Sequence, residues 1–172
     1  EFSAANIERA MEDLDEPLTD GLVRTSEKIY DALLLGKSYP ETVGEGKTLS
    51  FNLKYIDWEH PEYNLFHVTE EFAVDSRDKL HDARPDIVLF INGIPFATIE
   101  CKAPQVSVEQ AVEQTIRNQQ SEYIPQLYKF AQIVAATNKN AVKYATTGTP
   151  KKFWTVWKEQ DTTFLEQALA QH

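Results

Sequence analysis

The sequence predicts an α/β protein: a mixed central β-sheet flanked by helices. Three observations carry that prediction. Residues 84–104, RPDIVLFINGIPFATIECKAP, set two apolar runs around Asn92-Gly93, a dipeptide favoured by tight hairpin turns. Further segments alternate apolar and polar residues with the period of a strand, before and after that hairpin. Between and around them lie stretches with helical periodicity, so strands and helices interleave and must layer against one another.

The elements follow in order. Leu22–Leu35 reads as an amphipathic helix, with Leu22, Ile29, Leu33 and Leu34 at helical spacing and Gly36 placed to stop it. Residues 36–48, GKSYPETVGEGKT, read as a loop. Phe51, Leu53 and Tyr55 alternate with polar residues as in a half-buried strand, and residues 64–74 alternate again through Phe66, Val68, Phe72 and Val74. The hairpin spans Ile87 to Cys101 and is ended by Ala103-Pro104, because proline cannot donate into a ladder. Ser107-Val-Glu-Gln110 has the form of a capping box and opens a helix whose stripe runs Val108, Val112, Thr115, Ile116, Gln119 and Tyr123. Ile124-Pro125 breaks or kinks it. Residues 132–137 and 141–145 read as two strands joined by Asn138-Lys-Asn140. An aromatic segment (Phe153, Trp154, Trp157) and a terminal helix from about Thr163 complete the chain.

The 172 residues suit one domain with a core of ordinary size. No apolar run is long enough for a membrane span, and the first twenty residues carry seven acids and one arginine, the reverse of a signal peptide. The Glu-Phe start suggests a trimmed chain or a fragment. One cysteine excludes an internal disulfide and fits a reducing cytoplasm. Net charge is −10, yet from Tyr123 to Lys158 there is no acid and six lysines occur: Lys129, Lys139, Lys143, Lys151, Lys152 and Lys158. Such segregation allows a basic patch for phosphate on an acidic protein; the plain alternative is lysines scattered on solvated faces.

Familiar motifs fail on inspection. Gly44-Glu-Gly46-Lys47-Thr48 resembles the tail of a phosphate-binding loop, but Glu41 stands where its first glycine belongs. Histidines 60, 67, 81 and 172 lack helical pairing and cysteine partners, which disfavours zinc. No Gly-x-Ser-x-Gly elbow occurs, and Cys101 within an apolar strand reads as a buried, inert thiol.

The charged ends of the hairpin are the exception. Asp86 directly precedes Ile-Val-Leu-Phe-Ile, and Glu100 and Lys102 lie two apart, so they share one strand face while Cys101 points to the other. A strict two-residue turn would set Asp86 opposite Ile99. A three-residue loop or a bulge, which Pro95 favours, sets Asp86 opposite Glu100. Two adjacent carboxylates repel unless one is protonated or a cation lies between them. Oxygen ligands on a rigid sheet suit Mg²⁺, with the Cys101 backbone carbonyl as a third ligand and Lys102 beside the metal. That set suits phosphodiester hydrolysis. The plain alternative is a surface hairpin ending in an ordinary ion pair.

Pro85-Asp86 with Glu100-Cys101-Lys102 resembles the PD-(D/E)xK nuclease superfamily. More narrowly, residues 84–104 are similar to the nuclease domain that opens the R subunit of type I restriction enzymes. "NLFHVTEEFAV", "IPQLYKFAQIVAATN" and "YATTGTPKKFWTVWKE" extend the likeness across most of residues 20–160. The resemblance implies a restriction-endonuclease-like core and Mg²⁺-dependent cleavage of double-stranded DNA, with Asp86, Glu100 and Lys102 catalytic. It also implies a Gln-x-x-x-Tyr signature on the next helix. Gln114 sits at the right distance from the lysine but has Asn118 in the tyrosine position; Gln119 and Tyr123 keep the pattern but lie later, and Arg117 shares Gln114's face. Glu27, on the first predicted helix, corresponds to an accessory acid used by some members.

The resemblance further implies a nuclease domain over residues 1–160 and the start of a linker at 161–172. Methylation and specificity subunits would be its partners, and an ATP-driven motor would lie outside the chain. The alternatives are a nuclease fold kept for DNA docking or subunit contact, and a repair nuclease of the same superfamily.

Overall fold

A computed structural model describes residues 2–76 and 83–158. The predicted helix near Thr163 and the 160/161 boundary lie outside the described residues. Helix α1 (Ala4–Leu14) is one that the periodicity reading passed over. Ser3 caps it by accepting the Asn6 amide, and Ala10 and Leu14 are buried while Ile7 and Met11 stay exposed. Helix α2 (Leu22–Leu35) follows, with Ile29 and Leu33 buried on the predicted stripe. Gly36 ends it at φ +72°, and a Cβ there would stand 2.4 Å from the Leu53 carbonyl oxygen, so only glycine fits.

Residues 36–48 are not the loop that their composition suggests. Lys37–Val43 forms β1, which pairs antiparallel with β2 (Lys47–Leu53) across a turn at Gly44–Gly46. The pattern hides this because the two-stranded sheet contributes almost nothing to the core. On β1 only Tyr39 is buried, donating its hydroxyl to Asp13 at 2.9 Å. On β2 Phe51 is exposed rather than half-buried, and Tyr55 lies beyond the strand.

The main sheet has six strands in the order β3 (Phe66–Glu70), β4 (Ile87–Ile91), β5 (Ile94–Cys101), β6 (Ile133–Asn138), β7 (Ala141–Ala145) and β8 (Thr155–Val156). Every neighbouring pair is antiparallel except β5 and β6. Parallel partners need a crossover, which α3 (Val108–Asn118) and the one-turn α4 (Pro125–Tyr128) supply. The fold is thus the mixed α/β arrangement predicted, with helices against a mixed sheet. Strand β3 is shorter than residues 64–74. It lies at the sheet edge with Phe66 and Val68 exposed, and Phe72 and Val74 pack on the core after the strand has ended.

Val88, Val134 and Ala136 from the sheet meet Ala111 and Val112 of α3 and Leu127 and Tyr128 of α4 to form the larger core. A smaller cluster joins Leu14, Ile29, Leu33 and Ile56. Three of the six lysines in the acid-free stretch are paired with acids from elsewhere in the chain. Lys129 is buried and binds Asp15 and the Glu16 carbonyl, each at 2.6 Å. Lys143 pairs with Glu109, and Lys151 pairs with Glu109 and Glu113. Charge segregated along the chain is mixed again by α3 packing beside β7. Among the described residues, no helix is long and apolar enough to cross a membrane.

Candidate active site

The hairpin turn places Asn92 at φ 52° and Gly93 at φ 82°, the two positive values of a tight two-residue turn. Ile91 therefore pairs with Ile94 and Phe90 with Pro95. A bulge at Phe96 follows, after which Leu89 pairs with Ala97 and Ile87 with Ile99. The three-residue loop is not how the chain does it, but the bulge is. One extra residue after Pro95 moves every later partner by one, so that Asp86 stands opposite Glu100 instead of Ile99.

Backbone contacts fix Asp86 and the end of β5. The Asp86 carbonyl accepts the Glu71 amide at 2.8 Å, and Asp86 Oδ2 accepts the Cys101 amide at 2.6 Å. In a strand the N–H and C=O of one residue face the same side, so the Cys101 carbonyl is also directed to the Asp86 side. On the other side, the Lys102 amide donates to Thr137 on β6 at 2.8 Å, which anchors the end of β5. Glu100 is 2% exposed. Its carboxyl is pushed up to about 7, first by burial and then by Asp86, while Lys102 and Gln114 pull the other way. The Cys101 thiol is also raised by burial and by the two acids, which keeps it protonated and unreactive.

Lys102 Nζ donates to Glu100 Oε1 at 3.3 Å and to Gln114 Oε1 at 2.7 Å. Gln114 is delivered by α3, whose start is capped by Ser107 accepting the Glu109 amide. Gln110, Glu113, Gln114 and Arg117 share one helix face and, with Lys102, line a polar cleft of about 490 Å³. Neither that cleft nor a larger, apolar groove of about 550 Å³ between α1 and the hairpin turn is lined by an acid of the motif; Lys102 is the motif residue at the cleft.

The structure thus brings together Asp86, Glu100, the Cys101 backbone, Lys102 and Gln114, with Arg117 at the cleft. Gln119 is elsewhere. Helix α3 ends at Asn118, so the helical wheel drawn through Tyr123 does not apply. Gln119 caps the helix, accepts the Gly148 amide at 2.7 Å and is buried as a tie to that turn. Tyr123 lies past the helix with the Arg117 guanidinium 5.2 Å over its ring. Glu27 is exposed on α2 and takes part in none of the hydrogen bonds that join the motif residues. Sequence reasoning passed over Thr98 and Tyr128 and met Asn118 only as a departure from the signature tyrosine; all three are buried, and Thr98, Asn118 and Glu100 each bear on Tyr128. Polar residues inside apolar runs, as in IPFATIE, were the available signal. Among the described residues, no group of three His, Cys, Asp or Glu side chains is placed to hold a metal ion, so a third protein ligand would be backbone.

Comparison with known proteins places this geometry in context. The family described as type I restriction enzyme R protein N terminus matches residues 1–153. A Methanocaldococcus jannaschii protein bearing the name of the MjaIXP type I restriction enzyme endonuclease subunit is 32% identical over 130 residues, 74% of this chain and 12% of that protein. The SsaAORF53P endonuclease subunit of Staphylococcus saprophyticus is 29% identical over 54% of the chain and 10% of its own length. The EcoprrI endonuclease subunit of Escherichia coli is 23% identical over 96% of the chain and 52% of its own length. The chain therefore spans from about a tenth to about half of these relatives. With nearly its whole length matched, it belongs to the family of type I restriction enzyme R protein N-terminal regions.

Proposed function

We propose that this chain is the Mg²⁺-dependent endonuclease domain of its R subunit, with a restriction-endonuclease-like core of the PD-(D/E)xK type. The observation that carries the reading is the bulge at Phe96, which sets Asp86 opposite Glu100 with the Lys102 ammonium 3.3 Å from that acid. The donor set fits a hard divalent cation: two repelling carboxylates and a backbone carbonyl directed to one side. Asp86, Glu100 and the Cys101 carbonyl would hold it. When bound, Mg²⁺ would supply a more acidic water and positive charge against the scissile phosphate.

The chain's own groups would do the rest. Lys102, steadied by Gln114, would place a positive charge where it builds up on phosphate oxygen. Arg117 would reach a phosphate along the cleft. These are backbone contacts without base readout, so sequence choice would fall to a specificity subunit. Methylation and specificity subunits, the cytoplasm, and ATP-driven translocation by another part of the polypeptide complete the reading.

Calorimetric titration of Mn²⁺ into the 172-residue chain tests it. The expected result is binding by the wild type that Asp86→Ala removes. Absence of any binding by the wild type would instead favour a nuclease fold kept for DNA docking.

A further inference from the structure

Beneath the acids lies a buried polar group whose bonding is incomplete. Thr98, Glu100, Asn118 and Tyr128 are each at most 2% exposed. Thr98 and Glu100 are two apart on β5 and therefore share the face that α3 and α4 cover. Thr98 Oγ1 and Glu100 Oε2 are enclosed, and neither has a hydrogen-bond partner. Unsatisfied buried oxygens are uncommon, and a carboxylate oxygen is among the costlier ones to leave unpaired. Thr98, Asn118 and Glu100 all bear on the Tyr128 phenol, which is brought up from α4, although Thr98 Oγ1 forms no direct hydrogen bond. Polar groups that are near one another but short of contact are the usual setting for a bridging water, which needs two to four polar partners.

The two oxygens of Glu100 thus have different surroundings. Oε1 meets Lys102 at the cleft, while Oε2 is enclosed. We infer that Thr98 and Tyr128 are positioning residues that hold Oε2 of Glu100 through one enclosed water, fixing the carboxylate so that Oε1 is presented to the cation. The inference rests on the metal reading above and adds to it the residues that aim the ligand. Groups that orient a metal-binding side chain in this way commonly matter for affinity nearly as much as the ligands.

The test is Mn²⁺ titration of the full-length subunit, comparing wild type, Asp86→Ala, Thr98→Val, Thr98→Ser and Tyr128→Phe. Thr98→Val and Tyr128→Phe are each expected to weaken Mn²⁺ binding by about tenfold or more, while Thr98→Ser, which keeps the hydroxyl, stays near wild type. Tyr128→Phe removes a single oxygen and carries the test if valine at 98 prevents folding. If Asp86→Ala loses binding but Thr98→Val and Tyr128→Phe titrate like wild type, the positioning role is overturned and the metal reading stands. If wild type and Asp86→Ala titrate alike, both are overturned.

Discussion

Replacing Lys102 by alanine is expected to lower DNA cleavage by the full-length enzyme by about 10²–10³-fold, the usual cost of losing one preorganised charge at a reacting phosphate. The ammonium is held at 2.7 Å by Gln114 and 3.3 Å by Glu100, with its backbone anchored to Thr137. That preorganisation is what makes its loss expensive. Lys102 also helps keep Glu100 ionised. The variant should therefore bind Mn²⁺ more weakly near neutral pH and recover part of that loss at pH 9, where the acid is ionised without help. Single-turnover cleavage and a parallel Mn²⁺ titration measure the two effects separately. Cleavage within twofold of wild type would remove Lys102 from the chemistry.

Glu100→Gln is expected to abolish cleavage and yet make the metal-free domain more stable at pH 8, by up to about 3 kcal/mol. The carboxyl is pushed from its usual 4.5 to about 7 by burial and by Asp86. Below pH 4.5 it is protonated in both folded and unfolded chains, and its contribution to stability is fully present. Between 4.5 and 7 the unfolded chain releases the proton more readily, so stability falls as pH rises. Above 7 both states are ionised and the loss is complete. The amide never ionises and escapes that loss. Asp13, Glu41 and Glu109, held below the usual carboxylate range by hydrogen bonds, titrate with the opposite sign, so the informative quantity is the difference between the two proteins. Urea denaturation at pH 4 and pH 8 should show that difference growing with pH. A constant difference would mean that Glu100 carries no such strain. Mg²⁺ should narrow the gap at pH 8 by stabilising only the wild type.

Much of the site was legible in the sequence, for physical reasons. Asn92-Gly93 fixes a tight turn whatever surrounds it, and Pro95 warns of an interrupted ladder, so the convergence of Asp86 and Glu100 could be reasoned from register. What could not be read depended on where elements stop. A helical wheel sets Gln114 and Gln119 on different faces without showing which looks into the site, but α3 ends at Asn118 and the chain turns, leaving Gln114 beside Lys102. Strand β1 was invisible because its inward face carries Tyr39, Glu41 and Val43 and only Tyr39 is buried, so its burial alternates without a matching run of apolar residues. Helix α1 did carry a stripe through Ile7, Ala10, Met11 and Leu14, masked by the acids between them. The lysine cluster could not be judged from sequence, because proximity along the chain says nothing about Glu109 and Glu113, which fold against Lys143 and Lys151.

The central claim is that the bulged hairpin builds a divalent-cation site from Asp86, Glu100 and the Cys101 carbonyl. Crystals soaked in Mn²⁺ test it most directly through the anomalous signal of the metal. The account predicts a peak between the two carboxylates, about 2.2 Å from an oxygen of each. A peak absent from that position at saturating Mn²⁺, or one bound only by residues away from the hairpin, would contradict it.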